Sequence, residues 1–251
     1  MKIFLSNDDG IDSNGLISLA KQLSKDNDML IVAPDGNRSV CSHSLTVKKP
    51  ITISPCDKLF GQPTYKTSGT PADCVKILEH HFTDFKPDVV VSGINKAHNL
   101  GSDIFYSGTV AIAYEAAYYG YIAFAFSAYS LGESPFDEYS PYAEKIINAL
   151  LPYSEPSTIW NVNFPDVDVN IKDIKITKLG NRTYDDKYVF VCDDNYQLTS
   201  TDIKFDDKSL QIEEDYDLYW IKNGYITVTP LVFDRTDYAK LEEIIDKCIK
   251  F

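Results

Sequence analysis

Short apolar runs alternate with helical patterns along the first 150 residues of the chain. The first helical pattern starts at Asp12 or Ser13, and its leucines recur at the spacing of a helix that buries one face. Because strand–helix alternation builds parallel sheets with right-handed crossovers, it predicts a doubly wound, mostly parallel, Rossmann-like α/β sheet. The predicted strands are 2–6, 29–34, 87–93, 121–127 and 158–165, and further helices are predicted from 70, 107 and 142.

The pattern changes after residue 152, where charged residues interleave with apolar ones. Antiparallel strands are predicted at 173–180, 188–194 and 196–205, then a strand at 225–233 and a helix at 237–249. We therefore divide the chain into an α/β core that carries the chemistry (1–165), a hairpin-rich extension that mediates oligomerisation (166–224) and a final strand and helix (225–251).

The length allows one large α/β domain or one domain with a smaller appendage, and the composition limits the possible partners. The chain has 251 residues, 44% of them hydrophobic, which is enough for a substantial core. Its 37 acidic residues against 24 lysines and arginines give a formal net charge of −13. Such a surface repels polymeric nucleic acid, whereas a small phosphorylated ligand can bind through a bridging cation.

The cysteine pattern and the N-terminus indicate the compartment. Five scattered cysteines without a C-x-x-C pair argue against a disulfide framework and a zinc site, and fit a reducing environment. The apolar run after Lys2 is too short for a signal peptide, and no segment has membrane-spanning length. We expect a soluble cytoplasmic protein without a membrane partner.

Two adjacent carboxylates, Asp8 and Asp9, follow the first predicted strand. The stretch NDDG (7–10) could be a simple turn, because Asn, Asp and Gly favour turns. However, ligands of open α/β sheets bind beyond the carboxyl ends of the strands, and a cation removes the repulsion between neighbouring carboxylates. Oxygen ligands suit Mg²⁺, Mn²⁺ or Ca²⁺.

Two further loops should reach the same edge of the sheet. The loop 34–44 offers serine hydroxyls at 39, 42 and 44, together with the Arg38 guanidinium as a phosphate ligand. Asn95 directly follows the third strand, so its amide oxygen can face the same crevice. Taken singly, the loop could be an ordinary surface loop, and Asn95 could satisfy its own backbone in a turn.

The stretch YSGTV (106–110) indicates an anion site. Ser107, Gly108 and Thr109 precede or begin a helix, where unpaired N–H groups and the helix dipole attract phosphate, although ordinary capping gives the same pattern. The chain has no G-x-x-x-x-G-K-[ST] or G-x-G-x-x-G motif. His43 and His98 lie in the predicted loops, either as proton donors and phosphate contacts or as solvated side chains.

Seven co-linear motifs give the chain a resemblance to the SurE ("survival protein E") family of nucleotidases. They occur in the expected order and span nearly the whole chain. The motifs are NDDGI (7–11), APDGNRS (33–39), SGTPADCVK (68–76), SGIN (92–95), YSGTVAIAYEA (106–116), NVNFP (161–165) and GYITVTPL (224–231).

The resemblance implies a metal-dependent phosphomonoesterase acting on nucleoside 5′- and 3′-monophosphates, and on short polyphosphate in some members. It implies one divalent ion per subunit, Mg²⁺ or Mn²⁺, with Ca²⁺ as a substitute in crystals, and a homodimer or homotetramer. The implied metal ligands are Asp8, Asp9, Ser39 and Asn95, and Ser107, Gly108, Thr109 and Asn95 are the implied phosphate-binding residues.

In the mechanism expected from this set, Asp8 and Asp9 are catalytic, and Asp9 orients or deprotonates the attacking water. Arg38, Lys96 and His98 are candidates for steadying the phosphate or protonating the leaving oxygen. The chain departs from the family pattern at Ala97 and His98, which can reshape the third loop. A second departure, at Tyr216, Asp217 and Trp220, bears on substrate preference.

Three other classes of protein share parts of this pattern. A phosphorylation-dependent receiver domain also has an acidic pair after its first strand, but it needs an acceptor aspartate where this chain has Ser92. A haloacid-dehalogenase-type phosphatase needs D-x-D, and this chain has D-D. A noncatalytic nucleotide-binding protein stays open, and metal-dependent turnover would separate it from an enzyme.

Overall fold

A computed structural model of the chain describes residues 1–129, 136–166, 169–202 and 214–246. Its strands are β1 (Lys2–Ser6), β2 (Asp28–Pro34), β3 (Ile53–Pro55), β4 (Thr64–Thr67), β5 (Val89–Asn95), β6 (Ile122–Ala128), β7 (Ile159–Phe164), β8 (Ile174–Ile176), β9 (Tyr184–Cys192), β10 (Asn195–Asp202) and β11 (Ile226–Leu231). Its α-helices are α1 (Asn14–Leu23), α2 (Pro71–His81), α3 (Gly108–Tyr118), α4 (Phe136–Leu150), α5 (Asp217–Lys222) and α6 (Tyr238–Asp246).

Within these residues, nine strands form one sheet in the order β3-β4-β2-β1-β5-β6-β7-β11-β8. The six strands from β4 to β7 in that order are mutually parallel. Outside these six strands, β3 at one edge is antiparallel to β4, and β11, which lies between β7 and the edge strand β8, is antiparallel to β7. The predicted doubly wound, mostly parallel sheet is confirmed.

Helices cover both faces of this sheet. On β1, Ile3 and Leu5 belong to the apolar cluster that includes α1 and α4, whereas Phe4 belongs to the cluster that includes α2 and α3. This follows from the two-residue period of a strand, which sends alternate side chains to opposite faces. Because both faces are covered, ligands must approach at the ends of the strands.

The predicted helix starts are present with their caps. The Ser13 side chain accepts the Leu16 N–H at the start of α1. At α2, the Thr70 hydroxyl accepts the Asp73 N–H while the Asp73 carboxylate accepts the Thr70 N–H, which forms a capping box. Each cap satisfies N–H groups that lack partners inside the helix.

Several elements differ from the sequence prediction. Helix α4 begins at Phe136, before the predicted 142, and contains Pro141; aromatic packing of Tyr139 on Phe164, with ring centroids 4.8 Å apart, holds its first turns on the core. The strand predicted over 173–180 was expected to be antiparallel, but β8 pairs in parallel with β11. The short elements β3, β4 and α5 were not predicted.

The remainder of the C-terminal prediction is met in part. Strands β9 and β10 form a separate antiparallel hairpin with mostly exposed side chains. Helix α6 covers 238–246, whereas the predicted ends at 203–205 and 247–249 lie outside the described residues. The division of the chain at residues 165 and 224 stays a prediction. Within the segment 166–224, β8 pairs with the main sheet and α5 contacts β11. Among the described helices, none is long and apolar enough to cross a membrane.

Asp217 joins the start of α5 to two other segments. Its buried carboxylate accepts N–H groups from Gly101, Gly180 and Leu218, each at 2.8 Å. Burial raises the pKa of this carboxyl, and the three N–H donors oppose that rise by stabilising the charged form. Asp217 therefore links the loop after β5 to the extension.

Replacing Asp217 by alanine should strongly destabilise the fold, because three buried N–H groups would lose their acceptor. We expect Asp217→Ala to lower the free energy of unfolding by about 2–4 kcal/mol in urea denaturation. The matched control is Asp215→Ala, which removes an exposed ion pair with Lys178 and should cost less than about 1 kcal/mol. Equal stability of the two variants would contradict this role.

Candidate active site

The carboxyl ends of β1, β2 and β5 meet at one edge of the sheet, because these strands are neighbours and parallel. A cleft of about 1560 Å³ opens at this edge. Asp8, Asp9, Ser39 and Asn95 all line it. The structure therefore brings the four predicted metal ligands to a common cleft, as the sheet topology requires.

Asp8 is the most constrained of the four side chains. It is 3% exposed, and the fully buried Thr109 hydroxyl donates to its Oδ1 at 2.5 Å. A Cβ atom at Gly108 would lie 2.7 Å from the Asp8 Cβ, so the glycine is needed for this approach. Burial, with a smaller contribution from the Asp9 charge, raises the pKa of Asp8 to about 6, although the Thr109 hydrogen bond opposes the rise.

Asp9 is partly exposed to the cleft and contacts the third loop. Its Oδ2 accepts the backbone N–H of Lys96 at 3.2 Å. Burial raises the pKa of Asp9, and the Lys96 N–H and ammonium charge act in the opposite direction. The first and third loops are thus joined at the carboxylate that faces the cleft.

The second loop is attached to the first by its backbone. The Arg38 N–H donates to the Asp8 carbonyl at 2.7 Å, and the Ser39 N–H donates to Asn37 Oδ1 at 2.7 Å. These bonds leave the Ser39 side chain exposed on the cleft wall. The Arg38 guanidinium pairs with Asp35 at 2.7 Å.

The start of α3 contributes a second wall. The Ser107 hydroxyl accepts the Val110 N–H at 3.0 Å as a helix cap, and Ser107 lines the cleft. Gly108 and Thr109 lie behind it, where Thr109 contacts Asp8. Of the three residues implied as phosphate ligands on this helix, Ser107 lines the cleft, whereas the Thr109 hydroxyl is engaged with the Asp8 carboxylate.

The third loop is attached to β7 by hydrogen bonds among buried asparagines, which were not predicted from the sequence. Asn95 Nδ2 donates to the Ala97 carbonyl at 2.8 Å. Four residues on, the Asn99 N–H donates to Asn163 Oδ1 at 2.8 Å, and the Asn99 carbonyl accepts Nδ2 of both Asn161 and Asn163. The two asparagines of the NVNFP motif were visible in the sequence, but their partner, Asn99, is more than 60 residues away from them along the chain.

The two loop histidines have different surroundings. His98 lines the cleft, and its Nε2 lies 2.7 Å from the Phe164 carbonyl oxygen. His43 contacts the buried Glu115 on α3 at 2.7 Å, and Lys76 pairs with the same carboxylate at 2.6 Å. Burial raises the pKa of Glu115, but hydrogen bonds from His43 and Lys76 outweigh it and hold that pKa below its ordinary value. His43 therefore anchors the second loop on α3.

The donor set fits a hard divalent cation. Two adjacent carboxylates, one of them nearly fully buried, repel each other, and the other two candidate ligands are neutral oxygens. Among the described residues, no group of three or more His, Cys, Asp or Glu side chains could hold a metal. A metal here would therefore depend on Ser39 and Asn95 as well as on the aspartates.

Comparisons with known proteins give consistent matches over most of the chain. A family model described as survival protein SurE matches residues 3–186. A protein of Clostridium botulinum (strain ATCC 19397 / Type A) named 5′-nucleotidase SurE is 37% identical over 249 residues, which is 97% of each chain. A 5′-nucleotidase SurE of Caldanaerobacter subterraneus subsp. tengcongensis is 36% identical over 247 residues, covering 96% of this chain and 95% of that protein.

A solved structure extends the likeness to three dimensions. The crystal structure of SurE protein from Aquifex aeolicus has a TM-score of 0.82 and 35% sequence identity to this chain. The match covers 98% of this chain and 99% of that one. With the family model matching well over half of the residues, this chain belongs to the survival protein SurE family.

Proposed function

We propose that this chain is a metal-dependent phosphomonoesterase that hydrolyses nucleoside 5′-monophosphates, and also 3′-monophosphates and short polyphosphate. The observation that carries the proposal is the common cleft of Asp8, Asp9, Ser39 and Asn95 beside the N-terminus of α3. The names of the curated relatives support the nucleotidase activity. Family membership argues against the receiver and haloacid-dehalogenase alternatives.

One divalent ion, Mg²⁺ or Mn²⁺, would be held by Asp8, Asp9, Ser39 and Asn95. Such an ion supplies charge neutralisation, a ligand position for a phosphate oxygen and a lowered pKa of bound water. The protein contributes fixed ligand positions, because Thr109 holds Asp8 and Lys96 N–H holds Asp9. Positions fixed before substrate arrives reduce the reorganisation that the reaction needs.

The chain's own groups would divide the remaining tasks. Asp9 accepts a hydrogen bond from the attacking water and orients it toward phosphorus. The N–H groups at the start of α3, with the Ser107 hydroxyl, bind the phosphate oxygens, on which charge develops. Lys96 is exposed on the cleft wall, so we assign it the contact with the phosphate or the leaving oxygen. Arg38 and His98 are held by Asp35 and the Phe164 carbonyl oxygen.

The hairpin β9–β10 is proposed as the oligomerisation arm of a homodimer or homotetramer. It exposes large apolar side chains, among them Tyr188, Phe190 and Tyr196. Such a surface is typical of contacts between protein chains. The scattered cysteines support a cytoplasmic location, and the net charge of −13 argues against polymeric nucleic acid as a partner.

Phosphate release should depend on both the cation and Asp9. We expect activity toward nucleoside monophosphates with Mg²⁺ or Mn²⁺, its loss in EDTA, and a fall of at least about 100-fold in kcat for Asp9→Asn. Asp12→Asn, an exposed aspartate of the same loop, is the control and should retain activity. A rate indifferent to EDTA rules out the mechanism, and nucleotide binding without turnover favours a noncatalytic protein.

The Thr109 hydroxyl should act through Asp8. Thr109→Val keeps the side-chain volume but removes the hydrogen bond at 2.5 Å, and a bond to a charged group is worth about 1.5–3 kcal/mol. We expect kcat/KM to fall about 10- to 100-fold and the half-activating Mg²⁺ concentration to rise. Thr109→Ser restores the donor and should recover both values. Unchanged metal dependence in the valine variant would argue against this role.

Asp8→Asn should stabilise the metal-free protein while abolishing activity. Because the folded pKa of about 6 exceeds the reference 3.8, the folded state binds the proton more tightly. Wild-type stability therefore falls as pH rises from about 4 to about 6, and the cost is fully present above that range. In EDTA at pH 7.5 we expect unfolding free energy to rise by roughly 2–3 kcal/mol, measured by urea denaturation. A loss of stability in Asp8→Asn would contradict a raised pKa of Asp8 in the folded protein.

A further inference from the structure

Three of the exposed apolar side chains that line the candidate active-site cleft lie next to Ser39 or within two residues of Ser107 in sequence. Val40, Phe105 and Tyr106 are 77%, 53% and 62% exposed, and we call them the apolar rim. Large apolar groups left in contact with water inside a concave site commonly mark a ligand surface. None of the three has a part in the proposed phosphate chemistry.

The backbone of the apolar rim is fixed by the second loop. The Ser42 N–H donates to the Tyr106 carbonyl at 3.0 Å, and the Ser42 hydroxyl donates to the Phe105 carbonyl at 2.6 Å. The Arg235 guanidinium lies 5.5 Å from the centre of the Phe105 ring. The rim is thus a fixed surface, with one of its rings supported by a cation.

The apolar rim adjoins the reacting centre on two sides. Val40 directly follows Ser39, and Tyr106 directly precedes Ser107. Successive Cα atoms are about 3.8 Å apart, so the rim begins within one residue of both the candidate metal ligand and the candidate phosphate ligand. A phosphate monoester bound there would extend its organic part along the rim.

We infer that the apolar rim is the subsite for the planar heteroaromatic base of the substrate, with Tyr106 as the stacking residue. The inference rests on the proposed function and deepens it, because it sets nucleoside monophosphates apart from base-free sugar phosphates. The cleft has room for this, since about 1560 Å³ exceeds the roughly 300–1,000 Å³ of small-molecule pockets. Stacking on a tyrosine tolerates every base, so broad base acceptance follows.

The test compares a substrate that has a base with one that lacks it. For Tyr106→Ala we expect kcat/KM for adenosine 5′-monophosphate to fall about 10-fold, the size of one base–aromatic stack. With ribose 5-phosphate, which lacks the base, kcat/KM should stay within about twofold of the wild type. Tyr106→Phe keeps the ring and should behave as the wild type with both substrates. Tyr153→Ala, an 80% exposed tyrosine elsewhere, is the control.

Several outcomes would overturn the subsite. Equal losses with both substrates would mean that Tyr106 positions the Ser107 turn, and unchanged kinetics with a changed oligomeric state by light scattering would make the rim a contact between copies. Unchanged kinetics and unchanged assembly would also refute it. If the wild type hydrolyses neither substrate, the proposed function fails separately. Calorimetric binding of both ligands to wild type and Tyr106→Ala then decides the subsite, and it stands only if the loss is confined to the nucleotide.

Discussion

The burial of Asp8 beside a second carboxylate is the constraint around which the site is organised. A charged group this deep in a protein is costly unless it is paired or hydrogen-bonded. Thr109 supplies one hydrogen bond, and Gly108 supplies the space that lets α3 approach. These contacts hold Asp8 in place, and the Lys96 ammonium offsets part of the Asp9 charge, but the two adjacent carboxylates still repel each other. The site thus gives up stability in a form that a bound cation would restore.

The second and third loops at this edge are held by hydrogen bonds to their backbone, and the His43 side chain also anchors the second loop on Glu115. The second loop is tied through the Asp8 carbonyl, and the third through Asn99 to β7 and through Gly101 to Asp217. Buried hydrogen bonds of this kind are expensive to break. The candidate ligands can therefore line the cleft while their main chain remains fixed, which is what a preorganised site requires.

The fold was largely predictable from the sequence because its signals are local. The cap of α2 is encoded within Thr70, Pro71 and Asp73, and the long apolar strands are recognisable by composition. Strand β8 was predicted to be antiparallel, which is wrong, because a three-residue strand carries no information about the direction of its neighbour.

The candidate site was predictable only in part. Asp8, Asp9 and Asn95 lie at or just after strand ends, whereas Ser39 was separated from Ser42 and Ser44 by the family resemblance alone. The partners of Asn99 and Asp217 depend on distant segments that no local pattern reveals.

Charge balance in the cleft supports a cation independently of any resemblance. The described lining includes five aspartates, at 8, 9, 103, 166 and 186, against Lys96, Arg182 and Lys222. Arg182 already pairs with Asp103 at 2.7 Å. A phosphate monoester above its second pKa brings close to two further negative charges. The N-terminus of α3 provides about half a positive charge, so helix and side chains together leave the bound complex negative. A divalent ion held by Asp8 and Asp9 would reduce this negative charge, so the acidity of the cleft supports the proposed dependence of the chemistry on a metal ion.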